Sequence, residues 1–187
     1  HPRIVRNDND MLKLVADELG VLPDKRVKLL LYVEGPNDVV FLEHISRLIG
    51  LIDLPTDPRV AFVLSGGGNL KHWVNRQYLR ELGLREIHIY DRDNEQGYQA
   101  QVNVVNARAN GDWATLTTKR EIENYLHLDA IQEALGVTIA FADDDDVPML
   151  VAQTIHQASG SPNAWDQLDD ESRGKKISSA KRRLCNE

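Results

Sequence analysis

An α/β fold built on a parallel sheet is what this sequence predicts, and three observations carry the prediction. Short apolar runs of strand length recur along the chain, over Lys28 to Val33, Val60 to Leu64, Glu86 to Tyr90 and Trp113 to Thr117. Segments with apolar residues at helical spacing separate them, and glycines stand where those helices should end. Strands interleaved with helices join by right-handed crossovers, which yield a parallel sheet covered on both faces.

A leading helix over Asp10 to Leu19 closes at Gly20, and strand one follows. Val40, Phe41, His44, Ile45, Leu48 and Ile49 recur at three and four, so Val39 to Ile49 is a helix that Gly50 stops. Strand two runs into Ser65-Gly66-Gly67-Gly68-Asn69 and a helix over Leu70 to Leu82, ended by Gly83. Strand three leads to a weaker helical stretch from Tyr98 to Arg108, then to strand four. Beyond Leu128 only helices remain, over Asp129 to Leu135, Val147 to Gln157 and Lys175 to Leu184. The division expected is a leading helix and linker over 1–27, an α/β domain over 28–128 and a helical appendage over 129–187.

The 187 residues suffice for one core without disulfides or structural metal, and no apolar run reaches the length of a membrane span. One cysteine, Cys185, permits no disulfide framework and reads as a bystander; with no signal peptide visible, the expected setting is cytoplasmic. The chain opens on His1 and closes on a helical pattern, which suggests an excised part of a longer protein. Net charge of −7 argues against adhesion to nucleic acid over the whole surface. Asp143 to Asp146 and Asp166 to Glu171 are acidic, whereas Arg173, Lys175, Lys176, Lys181, Arg182 and Arg183 make the last stretch basic, so a polyanion is expected at that end.

Chemistry concentrates where strands finish. Strand one delivers Glu34 and stops at Gly35-Pro36-Asn37-Asp38; strand three delivers Asp91-Arg92-Asp93. Residues past the carboxyl ends of neighbouring parallel strands converge on one crevice. Proline in the first turn of a helix, with Asp38 shortly after it, points that acid back towards Glu34, where the two can chelate an ion; otherwise Asp38 is an ordinary helix-start acid. Asp91 and Asp93 share one side of an extended segment, and paired carboxylates repel unless protonated or bridged by a cation such as Mg²⁺. Glu121 and Glu123 face one way if their backbone is extended and diverge if it is helical.

Other constellations are weaker. Three glycines after strand two expose amides to an anion, but no Gly-Lys-Ser/Thr follows, so this is no P-loop. The six histidines include no pair at i and i+4, which disfavours a structural zinc; His44 and His88 fall in apolar patterns, and Trp73, Trp113 and Trp165 read as packing residues.

Val33-Glu34-Gly35 together with Asp91-Arg92-Asp93 resembles the Toprim domain of primases, topoisomerases and nucleases, over about residues 28 to 128. Val33 to Asp38, Ser65 to Gly68 and Arg120-Glu121-Ile122-Glu123-Asn124-Tyr125 are most similar to the OLD (overcoming lysogenization defect) family of nucleases, in which an ABC-type ATPase precedes a carboxyl-terminal Toprim nuclease. The resemblance implies a metal-dependent DNA endonuclease using two Mg²⁺ or Mn²⁺ ions. Glu34 and Asp38 would bind one ion, Asp91 and Asp93 the second, and Glu121 or Glu123 would complete the set. It also implies a basic residue from the helical tail reaching the phosphate, with Lys181 the first choice and Lys176 the second. Neither Walker motif is present, so only the nuclease half is implied, with DNA, the absent ATPase region and a possible second copy of the chain as partners. Besides the reading of the chain as a non-catalytic interaction module with its acids as solvated loops, two alternatives stand beside it. One is another Toprim activity, a topoisomerase or primase. The other is a HAD-like Mg²⁺-dependent phosphohydrolase, which Ile89-Tyr90-Asp91-Arg92-Asp93 resembles, although that family continues with Gly-Thr and places this strand first.

Overall fold

A computed structural model describes residues 26–50, 52–66, 74, 75, 77, 79–93 and 97–186. The helix expected over 10–19, the glycines at 67 and 68, and residues 70–73, 76 and 78 of the helix expected over 70–82 lie outside them; of the last, Arg80–Leu82 form a 3-10 turn.

Four parallel strands, β1 (Leu29–Val33), β2 (Val60–Leu64), β3 (Arg85–Tyr90) and β4 (Trp113–Leu116), form one sheet in the order β2-β1-β3-β4. β1 is central and pairs Leu29 with both Val60 and Arg85, while Ile87 pairs with Trp113. Helix α1 (Pro36–Ile49) joins β1 to β2, and α2 (Gln99–Asn106) joins β3 to β4. These connections step in opposite directions from the centre, so the right-handed rule sets the two helices on opposite faces. The strand order reverses between β1 and β3. That is the switch point where an open parallel sheet leaves a crevice beyond its carboxyl ends.

β1 is buried almost throughout, as a continuous apolar run between two covered faces should be. β3 buries polar side chains, His88 among them as its apolar setting implied. Its buried positions are Glu86, His88 and Tyr90, while Ile87 and Ile89 are only half-buried. Arg108, just past α2, makes this tolerable by reaching Glu86 at 2.5 Å and Asp112 at 3.1 Å. The Tyr32 hydroxyl donates to Glu86 (3.3 Å), His88 Nε2 meets Glu86 (3.1 Å), His88 Nδ1 meets the Tyr90 hydroxyl, and the His88 and Tyr32 rings stack at 4.1 Å. Burial alone would push the Glu86 carboxyl up, but bonds from His88 and Arg108 hold it below its ordinary value. Trp113, expected to pack, stands half exposed on the edge strand.

The helical tail comprises α3 (Leu128–Leu135), α4 (Val147–Ala158) and α5 (Asp170–Asn186). Ile131, Val147, Val151, Trp165, Ala180 and Leu184 build its core. Helix α5 begins five residues before the basic stretch that marks it in the sequence, because Asp170 and Glu171 pair with Arg173 and Lys175 one turn on. α5 packs on α4 and crosses to α1, which carries its last two turns to the crevice. Among the described residues no helix is long and apolar enough to cross a membrane.

Candidate metal centre at the carboxyl edge of the sheet

Glu34 leaves β1 at the switch point, and its Oε1 accepts the Asp91 backbone N–H at 2.8 Å, tying the ends of β1 and β3 together. The following turn is held by Asp38, whose Oδ2 accepts from the Gly35 N–H at 2.7 Å. Asp38 is therefore a helix-start acid and also faces the crevice, since its charge helps raise Glu34, Asp91 and Glu123. Burial, then the neighbouring charges of Asp38 and Asp93, push Glu34 up to about 7.

Asp91 is buried, and its Oδ1 accepts the Ile122 N–H at 3.0 Å. Asp93 does not continue the extended backbone expected of it. Its φ is +47°, in the left-handed region that aspartate tolerates better than most residues, and it is exposed at the rim. Asp91 and Asp93 thus occupy different environments.

The backbone at Glu121 and Glu123 is neither of the two alternatives. Glu121 is extended (φ −146°, ψ 171°) and precedes a 3-10 turn over Ile122–Tyr125, so the chain bends between the acids. The bend brings both to Asp91, where one carboxylate oxygen from each of the three residues lies within 4.8 Å of the others. Asn124 fixes the turn. Its Oδ1 accepts from the Glu121 N–H (3.2 Å), and its amide donates to the carbonyls of Ala142 (3.0 Å) and Asp145 (3.1 Å). The sequence reading assigned Asn124 no role, and a buried asparagine just after two acids was the signal available.

Lys181 enters from α5. Its Nζ lies 3.0 Å from Glu121, 3.5 Å from Glu123 and 3.9 Å from Asp91. Burial opposes its charge, but the three carboxylates outweigh burial and raise its pKa, so it stays protonated. Lys176, on the same helix, is exposed and lies along α4 beside Ala152 and Ile155. Cys185 is no bystander: one turn past Lys181 it is buried, its Sγ sits 3.6 Å from Glu123 Oε1, and burial pushes the thiol well up.

Burial raises all three acids of the cluster, Asp91 to about 8 and Glu123 to about 7, with Lys181 opposing. Glu123 is 0% exposed, and its Oε2 has no hydrogen-bond partner. A buried carboxylate oxygen left unpaired is costly unless a cation meets it. The donors are all carboxylate oxygens, the set that suits hard divalent ions such as Mg²⁺ or Mn²⁺ rather than zinc.

Fold and site together define an α/β protein whose switch point carries a buried three-carboxylate group able to hold a metal ion. No protein-family model matches the chain, and no curated protein matches its sequence. Its structural neighbours include the C-terminal region of the Xanthomonas campestris pv. campestris OLD protein. The iodine-phased structure of that region aligns at 17% identity over 86% of this chain and 83% of its own, with a TM-score of 0.45. The mercury-phased structure aligns at 14% identity over the same shares, with a TM-score of 0.44.

Proposed function

We propose that this chain is a divalent-metal-dependent nuclease that hydrolyses phosphodiester bonds in DNA without strong sequence preference. The observation that carries this reading is the buried group of Asp91, Glu121 and Glu123, with an unpaired oxygen on Glu123 and a protonated lysine against it. Asp91, Glu121 and Glu123 would hold one ion, and Glu34 with Asp38 and Asp93 would complete a second position. Bound there, Mg²⁺ or Mn²⁺ supplies an activated water and charge neutralisation for the leaving oxygen. Asp91 and Glu34 hold the strand ends at fixed separation through the 2.8 Å bond, which keeps the donor set preorganised. Lys181 stays protonated and supplies positive charge at the crevice, where a phosphate carries its charge. In the absence of a divalent ion the Lys181 ammonium stands in for a cation against the same three carboxylates, so the two compete.

The family resemblance adds that the chain works beside an ATPase region and a second copy; co-purification with that region tests the partnership. The reaction is tested with supercoiled plasmid in Mg²⁺, Mn²⁺, Ca²⁺ or EDTA, alongside Asp91→Ala and Glu34→Ala. Nicked or linear product with Mg²⁺ or Mn²⁺ that both substitutions abolish supports the reading. Relaxed closed circles would point to a topoisomerase. Equal cleavage by all three proteins would mean the proposed site is wrong.

A further inference from the structure

Two cations stand beside the candidate metal ligands, and both are occupied by the chain's own acids. Arg92 follows Asp91 directly, and its guanidinium pairs with Asp144. Lys119 lies two residues before Glu121, and its Nζ, which also donates to the Asn124 carbonyl at 2.8 Å, meets Asp143 at 3.0 Å. The loop bearing these acids is fastened from beneath. The Arg120 N–H donates to the Asp143 carbonyl (2.8 Å), and the Arg120 guanidinium meets Asp146 at 3.2 Å. Those inner contacts are shielded, with Arg120 and Asp146 at 22% and 27% side-chain exposure. The outer acids project into water, at 67% for Asp143 and 71% for Asp144.

The two layers differ in what can replace them. The inner layer is structural, built from main-chain bonds and a partly covered ion pair. The outer layer sets two half-exposed cations against two exposed carboxylates, and such pairs contribute little and are screened by salt. A phosphate oxygen has the charge and acceptor geometry to take a carboxylate's place on a guanidinium or an ammonium. In a chain of net charge −7, cations at the mouth of an acidic crevice are what a polyanion requires.

We propose that Arg92 and Lys119 form a phosphate-binding surface for the nucleic-acid backbone at the rim of the crevice, and that Asp143 and Asp144 act as internal phosphate surrogates that a bound strand displaces. The assignment rests on the nucleic-acid part of the reading above, and not on the chemistry of cleavage. Because the inner contacts survive displacement, the loop keeps its anchorage while its outer carboxylates let go. The acidic run therefore sets the affinity of the mouth: each surrogate weakens binding by the contact it withholds.

The test measures binding of a short fluorescein-labelled duplex DNA by anisotropy in EDTA, across a salt series, with the chain carrying Asp143→Asn and Asp144→Asn. A control carrying Glu133→Gln and Asp166→Asn makes the same change in net charge at exposed acids elsewhere. Releasing one cation to a phosphate is worth about five-fold in affinity near physiological salt and steepens the salt slope by about 0.9. The loop variant is expected to exceed the control by that factor for each cation, and to lose the gain when Arg92→Ala and Lys119→Ala are added. Binding no tighter than the control, a gain that survives loss of both cations, or no DNA binding by any variant would overturn the proposal. Tighter binding by the loop variant with no metal-dependent cleavage would sink the nuclease reading and leave this surface standing.

Discussion

Replacing Lys181 with methionine separates a cation site from an ordinary ion pair. The substitution keeps length and apolar stem but removes the cation that Asp91, Glu121 and Glu123 share. At an effective dielectric of about 20, contacts at 3.0, 3.5 and 3.9 Å correspond to roughly 4–6 kcal/mol each before costs. Desolvation and repulsion among the acids offset most of this, and breaking a buried pair costs about 3–5 kcal/mol. Lys181 is 29% exposed, and Asp91 and Glu123 already take protons near 8 and 7, so the loss belongs at the low end, about 3 kcal/mol. It should grow from pH 6 to pH 8, since only at the lower pH can the abandoned acids protonate cheaply. Urea unfolding at both values, with and without Mg²⁺, measures it. Saturating Mg²⁺ at about a hundred times its dissociation constant returns about 2.7 kcal/mol. Meanwhile Mg²⁺ affinity should rise, because its competitor is gone, and cleavage should fall by about 10²–10³. A pH-independent loss that Mg²⁺ fails to repair would refute the idea that Lys181 occupies a divalent-cation site.

Further outcomes follow from the same geometry. Glu34, Asp91 and Glu123 have folded pKa values raised to about 7, 8 and 7 from 4.5, 3.8 and 4.5. The stability they contribute to the metal-free protein is therefore fully present below about pH 4 and lost as pH rises through 7–8, the reverse of a salt-bridged carboxylate. Thermal unfolding against pH without metal should show that decline, and Mg²⁺ should flatten it while releasing protons detectable with an indicator dye. Arg108→Met leaves Glu86 and Asp112 without their buried partner and should cost about 3–5 kcal/mol in urea unfolding. Trp165→Ala opens the core of the helical tail at a cost of about 3–5 kcal/mol by the same measurement. Cys185, buried with its thiol pushed up, should react with a thiol reagent only as fast as the native structure opens, and addition of urea should accelerate it steeply.

Strand ends were the most legible part of the site. Glu34 and Asp91 follow apolar runs whose length marks them as buried strands, and topology does the rest, because the order β2-β1-β3-β4 puts those two ends side by side. Period alone located α1, α3 and α4, whose apolar residues recur at three and four. It gives the strand β3 but not its buried face, which carries Glu86, His88 and Tyr90 rather than Ile87 and Ile89. The residue that neutralises Glu86 arrives from Arg108, beyond a helix, and no local pattern reports it. Glu121 and Glu123 were legible as acids but not as a pair, because their convergence needs an extended residue followed by a 3-10 turn. The run Asp143 to Asp146 was legible only as an acidic stretch for a similar reason: Arg92, Lys119 and Arg120, which fasten it, are distant in sequence.

The charged and aromatic network beneath β3 also determines where Asp91 stands. Sliding β3 by one residue against β1 would turn Glu86, His88 and Tyr90 away from Arg108 and Tyr32, stranding buried charge on a face with no partner. Pairing of Tyr32 with His88 is thus the one alignment the strand can afford, and it brings the Asp91 N–H level with Glu34. Alignment of the acidic crevice is inherited from an ion-pair lock five residues back along β3, roughly 17 Å away. Damage to that lock would reach the crevice as a shift in strand register, without touching any residue that lines it.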